Sequence, residues 1–125
     1  MYKTHNAKGE KLEKYYQIIL EQYTNGKHEK LDCGITDITT SDMHIEIKKF
    51  SMYKQALGQL IAYKQRKWKP KLYAVFFGNI KPEKKEIVID VFKSNGIGVC
   101  EIIDNEFGIT LNTLVEAIDE MEIDG

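Results

Sequence analysis

Three residues of this chain have the types and spacing of a hydrolytic centre: Asp37, Glu46 and Lys48. From His44 to Phe50 the sequence reads His-Ile-Glu-Ile-Lys-Lys-Phe. Successive side chains of a strand point to opposite faces, so Glu46 and Lys48 share one face while Ile45 and Ile47 help fill the other. Two ionisable groups on one strand face are costly if that face is buried. They become reasonable where a metal ion and an anionic ligand meet. Asp37 lies near the end of the preceding apolar run, Leu31 to Ile38, and the polar segment Thr39-Thr40-Ser41-Asp42 reads as a hairpin turn. Folding back there sets Asp37 beside the strand of Glu46. Two carboxylates converging from paired strands make a hard oxygen site of the type that holds Mg2+, with Mn2+ as a substitute. A lysine amine alongside reaches a phosphate or an attacking water. The expected chemistry is therefore metal-dependent phosphodiester hydrolysis.

The order of these elements resembles the PD-(D/E)XK nuclease superfamily. The matching residues are Asp37, then Glu46-Ile47-Lys48, then Gln59-Leu60-Ile61-Ala62-Tyr63 on a following helix; Thr36 stands where the superfamily's name has proline. The resemblance covers roughly the first hundred residues. It implies that Asp37 and Glu46 bind the metal, with the backbone carbonyl of Ile47 as a further ligand. It implies that Gln59 and Tyr63 face the site and orient Lys48 or a backbone phosphate. Members of the superfamily often carry a glutamate on the first helix that completes the metal site. The run Lys8-Gly9-x-x-x-Glu13 resembles the start of Holliday-junction resolvases, so Glu13 is preferred to Glu10 for that role. The alternative is that both are surface charges. The implied function is a DNA endonuclease acting as a homodimer, of a structure-selective or junction-resolving kind. A non-catalytic nucleic-acid-binding or protein-interaction module with the same fold is the alternative.

The charge pattern bears on the partner. Net charge is −1, but from Ile47 to Pro82 there is neither Asp nor Glu, while the same span holds eight lysines and one arginine. A basic middle that follows the carboxylates suits a polyanion approaching them. Lys49, Lys64, Arg66, Lys67 and Lys69 are the expected nucleic-acid contacts; RNA is not excluded. Trp68, set among them, either stacks on a base or caps the core. The bland reading of the same lysines is a solvated helix face.

The elements that must position these residues follow in order. At 125 residues the chain is expected to form one domain, 1–125, with residues 1–7 flexible. It has no apolar run long enough to span a bilayer and no apolar leader at its start, so an intracellular protein is expected. Cys33 and Cys100 both sit in apolar runs and read as reduced core thiols. A helix is expected from Lys8 to about Thr24, ended by Asn25-Gly26. Residues 29–38 and 43–50 read as a strand pair, with Gly34 at a bulge and Asp32 as a competing carboxylate. His28 and His44 read as surface or packing residues. A helix is expected from about Met52 to Lys67, with Leu57, Leu60, Ile61 and Lys64 inward. Leu72 to Phe77 is the pattern of a central strand covered on both faces. Pro82 opens a helix that Asn95-Gly96 stops, and Ile97 to Ile103 returns as a parallel strand. A last helix over 110–121 is expected, with Leu114, Val115 and Ile118 inward. The expected class is α/β: a mixed central sheet flanked by helices on both faces, in the order αβββαβαβ with a C-terminal helix.

Overall fold

The computed structural model describes residues 3–24, 27–30, 36–40, 42–66 and 71–118, with side chains described for 3–22, 38–40, 42–65 and 71–118. The chain is built around β4 (Lys71–Phe77), whose sequence KLYAVFF is buried almost throughout. Its even positions Leu72, Ala74 and Phe76 face one layer, and Val75 and Phe77 face the other. A strand covered on both sides can afford no polar residue without a partner, which is why this run is continuously apolar. β3 (Met43–Lys49) pairs parallel with β4 on one side, and β5 (Gly98–Asn105) pairs parallel on the other. The connections are α2 (Tyr53–Arg66) and α3 (Pro82–Ser94), both on the same face, as two like-handed crossovers in one direction require. α1 (Glu13–Thr24) covers the other face through Tyr16 and Leu20. β1 (Lys27–Lys30), β2 (Thr36–Thr39) and β6 (Gly108–Val115) complete a six-stranded mixed sheet in the order β1-β2-β3-β4-β5-β6. The expected α/β class, with helices on both faces of a mixed sheet, is what forms.

Four expectations change. The helix over 110–121 does not form: Gly108–Val115 is strand β6, antiparallel to β5. Leu111, Leu114, Val115 and Ile118 have helical spacing, but Ile109, Thr110, Thr113 and Val115 are β-branched and favour the pleated surface. The hairpin that joins the strands is fixed by Asn105, whose side-chain oxygen accepts from the Phe107 amide at 2.9 Å, and by Gly108 at φ 124°. Residues 119–121 of that expected helix lie outside the described residues.

The single strand read over 29–38 is two strands, β1 and β2, paired antiparallel with Glu29 opposite Asp37. Residues 31–35, which include Asp32, Cys33 and the expected bulge at Gly34, lie outside the described residues. α1 begins at Glu13 rather than Lys8. Before it the chain is folded into a turn by Asn6, whose side-chain oxygen accepts from the amides of Lys8 and Glu10 at 2.9 Å each. The Leu12 amide also donates to the Thr4 carbonyl at 2.8 Å. These bonds involve Thr4 and Asn6, which lie within the residues expected to be flexible. Lys64, placed inward by helical spacing, is exposed; Ala56, Leu60 and Tyr63 form the buried stripe of α2 instead.

Candidate functional site

β3 gives the site its floor. Its residues Ile45 and Ile47 pack against α1, and the alternate set His44, Glu46 and Lys48 is buried as well. Glu46 is 1 % exposed and Lys48 5 %. Burying such groups requires compensating contacts. For Lys48 one is α1's Glu13: its amine donates to Oε1 and Oε2 at 3.4 and 3.5 Å. Glu13 remains partly in water, so this pair sits at the rim of the buried layer. Glu10 points elsewhere, accepting from the Asn6 side chain at 3.1 Å. The carboxylate beside Lys48 is therefore Glu13.

The roof is α2, which lies over β3 and β4. Tyr63 is buried and its ring stacks on His44, with centroids 3.5 Å apart and planes 10° from parallel. The imidazole is held from the strand side by Thr39, with its Oγ1 3.2 Å from Nδ1. Gln59 sits one turn before Tyr63, half-buried, with its Oε1 enclosed and without a hydrogen-bond partner among the described residues. β2 enters through backbone register. Ile38 pairs with Ile45 and Thr39 with His44, a register that one residue further sets Asp37 opposite Glu46. The Asp37 side chain itself lies outside the described residues. Ile47 turns its side chain to the α1 layer, leaving only its backbone to the Glu46 side.

Two buried polar residues, His44 and Gln17, were not among the expected site residues. His44 is the first residue of the period-two set His44, Glu46, Lys48, and that spacing was its signal. Gln17 is buried on α1 one turn beyond Glu13, and donates to the Glu21 carboxylate at 3.2 Å; its signal was the i, i+4 spacing from Glu13. Of the expected nucleic-acid contacts, Lys49 and Lys64 are exposed. Arg66 ends α2, with its side chain outside the described residues. Lys67 and Lys69, with Trp68, lie outside them altogether.

A metal ion is a matter of ligand count. Among the described residues no three His, Cys, Asp or Glu side chains form a metal-holding group. Two carboxylates, Glu46 and Glu13, come from the elements that carry Lys48 or contact it. Mg2+ keeps several waters and is commonly held through one or two carboxylates; here Glu46 is buried and Glu13, at the rim, accepts from Lys48.

Beyond this layer the molecule has a groove at the carboxyl ends of β3 and β4. Two cavities of ≈ 450 and ≈ 440 Å³ share Tyr16, Phe50, Gly78 and Asn79, and neither is lined by Glu46 or Lys48. Its polar wall is an ordered triplet: the Lys11 amine and the Tyr16 hydroxyl both donate to Asp104 Oδ2, at 2.8 and 3.0 Å. Burial, reinforced by Asp104, pushes the Tyr16 phenol up to about 12. The hydrogen bond to Asp104 likewise raises the Lys11 ammonium. Across the groove Lys85 meets Glu101 at 2.6 Å. Burial alone would raise Glu101, but the Lys85 and Asn112 hydrogen bonds outweigh it and hold the carboxyl below its ordinary range. No helix among the described residues is long and apolar enough to cross a membrane. Cys100 is a free, buried thiol, and Cys33 lies outside the described residues.

No protein-family model matches the chain, and no solved structure matches it. A protein of Acanthamoeba polyphaga mimivirus, provisionally named as KilA-N domain-containing, is 32 % identical over 102 residues, which is 79 % of this chain. The chain spans 24 % of that protein's length, about a quarter of it.

Proposed function

We propose that this domain binds DNA. The observation that carries the reading is the acid-free span from Ile47 to Pro82, which puts Lys49, Lys54, Lys64 and Lys81 on the surface around the β3–α2–β4 unit. Lysines set along one unit neutralise phosphates and release counterions, which is the sequence-independent part of DNA affinity. The mimivirus relative, of which this chain spans about a quarter, is compatible with the same reading, because its name carries KilA-N, a DNA-binding domain family. The test is anisotropy of labelled duplex and branched DNA at several salt concentrations. Affinity is expected to fall steeply as salt rises, and a Lys49→Glu/Lys54→Glu variant to weaken binding to every sequence alike. Binding indifferent to salt, or no binding, overturns the proposal.

A second reading rests on a different observation: Glu46 and Lys48 buried side by side on one strand face, with Glu13 at the amine. In this reading the domain also hydrolyses the phosphodiester it binds. Glu46 and Glu13, with Asp37 from the neighbouring strand and the Ile47 carbonyl, would hold Mg2+. That ion, when bound, supplies charge neutralisation and an acidified water. Lys48 contributes a fixed ammonium that stabilises negative charge developing on the phosphate oxygens. Gln59 and Tyr63 pin the roof and present an amide to a phosphate or to the lysine. Plasmid nicking with Mg2+ or Mn2+, lost in Lys48→Met, supports hydrolysis. DNA binding without nicking in either metal leaves the binding module alone.

A further inference from the structure

The two edges of the sheet are written differently. β1 is Lys27-His28-Glu29-Lys30, the charged composition that keeps an edge strand from pairing with another chain. β6, the other edge, is Gly-Ile-Thr-Leu-Asn-Thr-Leu-Val over eight residues, with no charge and no proline. Among the described residues β6 pairs with β5 alone, so one row of its backbone amides and carbonyls faces outward. Its central residues are exposed. The exposed large apolar side chains also gather here. Of six in the described residues, Ile103, Phe107, Leu111 and Ile118 belong to this hairpin or its exit, and Phe107 at the tip is 90 % exposed.

We propose that β6 is a homodimer edge: two copies pair their β6 strands antiparallel about a twofold axis near Leu111 and Asn112, joining the two sheets into one. The occupant is a second copy because the edge is complementary to itself. A neutral strand meets a neutral strand without like-charge opposition, and a twofold brings identical patches together. That axis also carries Phe107 of each copy to the far end of the other's β6, where Ile118 is half-exposed. A ring that buries on the order of 150–250 Å² then meets an apolar partner instead of water. Eight backbone positions and a few apolar contacts make a small interface, so the dimer is expected to dissociate on dilution.

The experiment is sedimentation velocity of the full chain over a concentration series. Reversible monomer–dimer behaviour is expected. Leu111→Lys, which places a charge at the axis, is expected to weaken dimerisation by about tenfold or more. Ile87→Lys on α3, an equally exposed apolar position away from the edge, is expected to leave it unchanged. Because Leu111→Lys could disturb the hairpin itself, Asn112→Cys provides a second reading: oxidation should yield a covalent dimer whose circular dichroism matches the unmodified chain. A chain monomeric at every concentration overturns the proposal. So does a dimer indifferent to Leu111→Lys. Slow hydrogen exchange in the monomer at the outward-facing β6 amides, those not bonded to β5, would also overturn it, because the edge would then be covered from within the same chain.

Discussion

Strands β3 and β4 are adjacent, parallel, seven residues long and almost wholly buried, yet they carry opposite kinds of residue. Across the shared register His44 lies beside Leu72, Glu46 beside Ala74 and Lys48 beside Phe76. β4 shows what the position demands for stability alone: apolar side chains on both faces from Leu72 to Phe77, with the Tyr73 hydroxyl bonded to Glu116 at 3.0 Å. β3 occupies an equivalent position with an imidazole, a carboxylate and an ammonium. Charged groups in place of well-packed apolar residues are at best about neutral for folding even where they pair. The difference separates two demands made on one sheet. β4 is specified by packing. β3 holds its backbone by the same ladder and its Ile45–Ile47 face, while its other face buries His44, Glu46 and Lys48.

The sharpest way to break this contrast is to exchange the demands. Phe76 is fully buried, stacked on Phe50 with centroids 5.0 Å apart and edge-on to Phe92 at 5.5 Å. Phe76→Ala is expected to cost about 3–5 kcal/mol of stability, measured by urea unfolding. Its register neighbour behaves oppositely. The double change Glu46→Gln/Lys48→Met removes both charges at nearly constant volume. It is expected to leave stability within about 1 kcal/mol of the parent or raise it, while abolishing any metal-dependent cleavage. A double variant as unstable as Phe76→Ala would mean that β3's polar face is structural, and the contrast would dissolve.

Next in size is a steric test on the apolar side. A Cβ at Gly98, where β5 starts beside β4, would fall on the Tyr73 ring and within 2.8 Å of the Ala117 backbone nitrogen. The ring has some room to turn, but the backbone of the β6 exit does not. Gly98→Ala is expected to cost about 1–3 kcal/mol in thermal unfolding through overpacking. If Gly98→Ala is neutral, the β4–β5–β6 half is looser than its burial indicates.

The same contrast explains which parts were legible in the sequence. β4 announced itself, because six consecutive apolar residues from Leu72 to Phe77 have one economical home. α3 did so too, between Pro82 and Asn95-Gly96, where Gly96 takes φ 71°. Glu46 and Lys48 followed from alternation alone. β6 was hidden because Leu111, Leu114, Val115 and Ile118 satisfy helical spacing, and only pairing with β5 decides otherwise. Residues joined across elements were hidden for a more general reason. The stacking of His44 on Tyr63 and the reach of Glu13 to Lys48 depend on how helices lie over strands, which no local pattern encodes. Glu13 was singled out only by resemblance. Gln17 was missed because a polar residue on an amphipathic helix is normally at the surface.

A titration probes the groove beside this layer. Tyr16 has its phenol pushed up to about 12 by burial and by Asp104. A raised folded-state value means that the neutral phenol is favoured in the native state. Its contribution to stability is therefore complete below the unfolded tyrosine value near 10 and is lost as pH rises toward 12. Burial also raises the Tyr73 phenol, so ultraviolet absorbance of phenolate should show both tyrosines titrating late, and Tyr16→Phe should reduce the amplitude of that late step by one tyrosine. A late amplitude unchanged by the substitution would assign the step to other tyrosines.

The smallest effect belongs to the pair on the far wall. Glu101 accepts from Lys85 at 2.6 Å and from Asn112 at 2.9 Å, and these bonds hold its carboxyl low against the opposing effect of burial. A lowered folded-state value means that the stabilisation is present above the ordinary carboxylate range and disappears as pH falls through the lowered value. Glu101→Gln keeps the shape and removes the charge. It is expected to cost about 0.2–1 kcal/mol at neutral pH, because Lys85 stays partly in water, and nothing at acid pH. Unfolding of both proteins as a function of pH should give curves that converge on the acid side. Glu101 has a lysine partner, and both side chains stay partly exposed. A cost well above that range would mean that the Lys85–Glu101 pair is less screened by water than its exposure indicates.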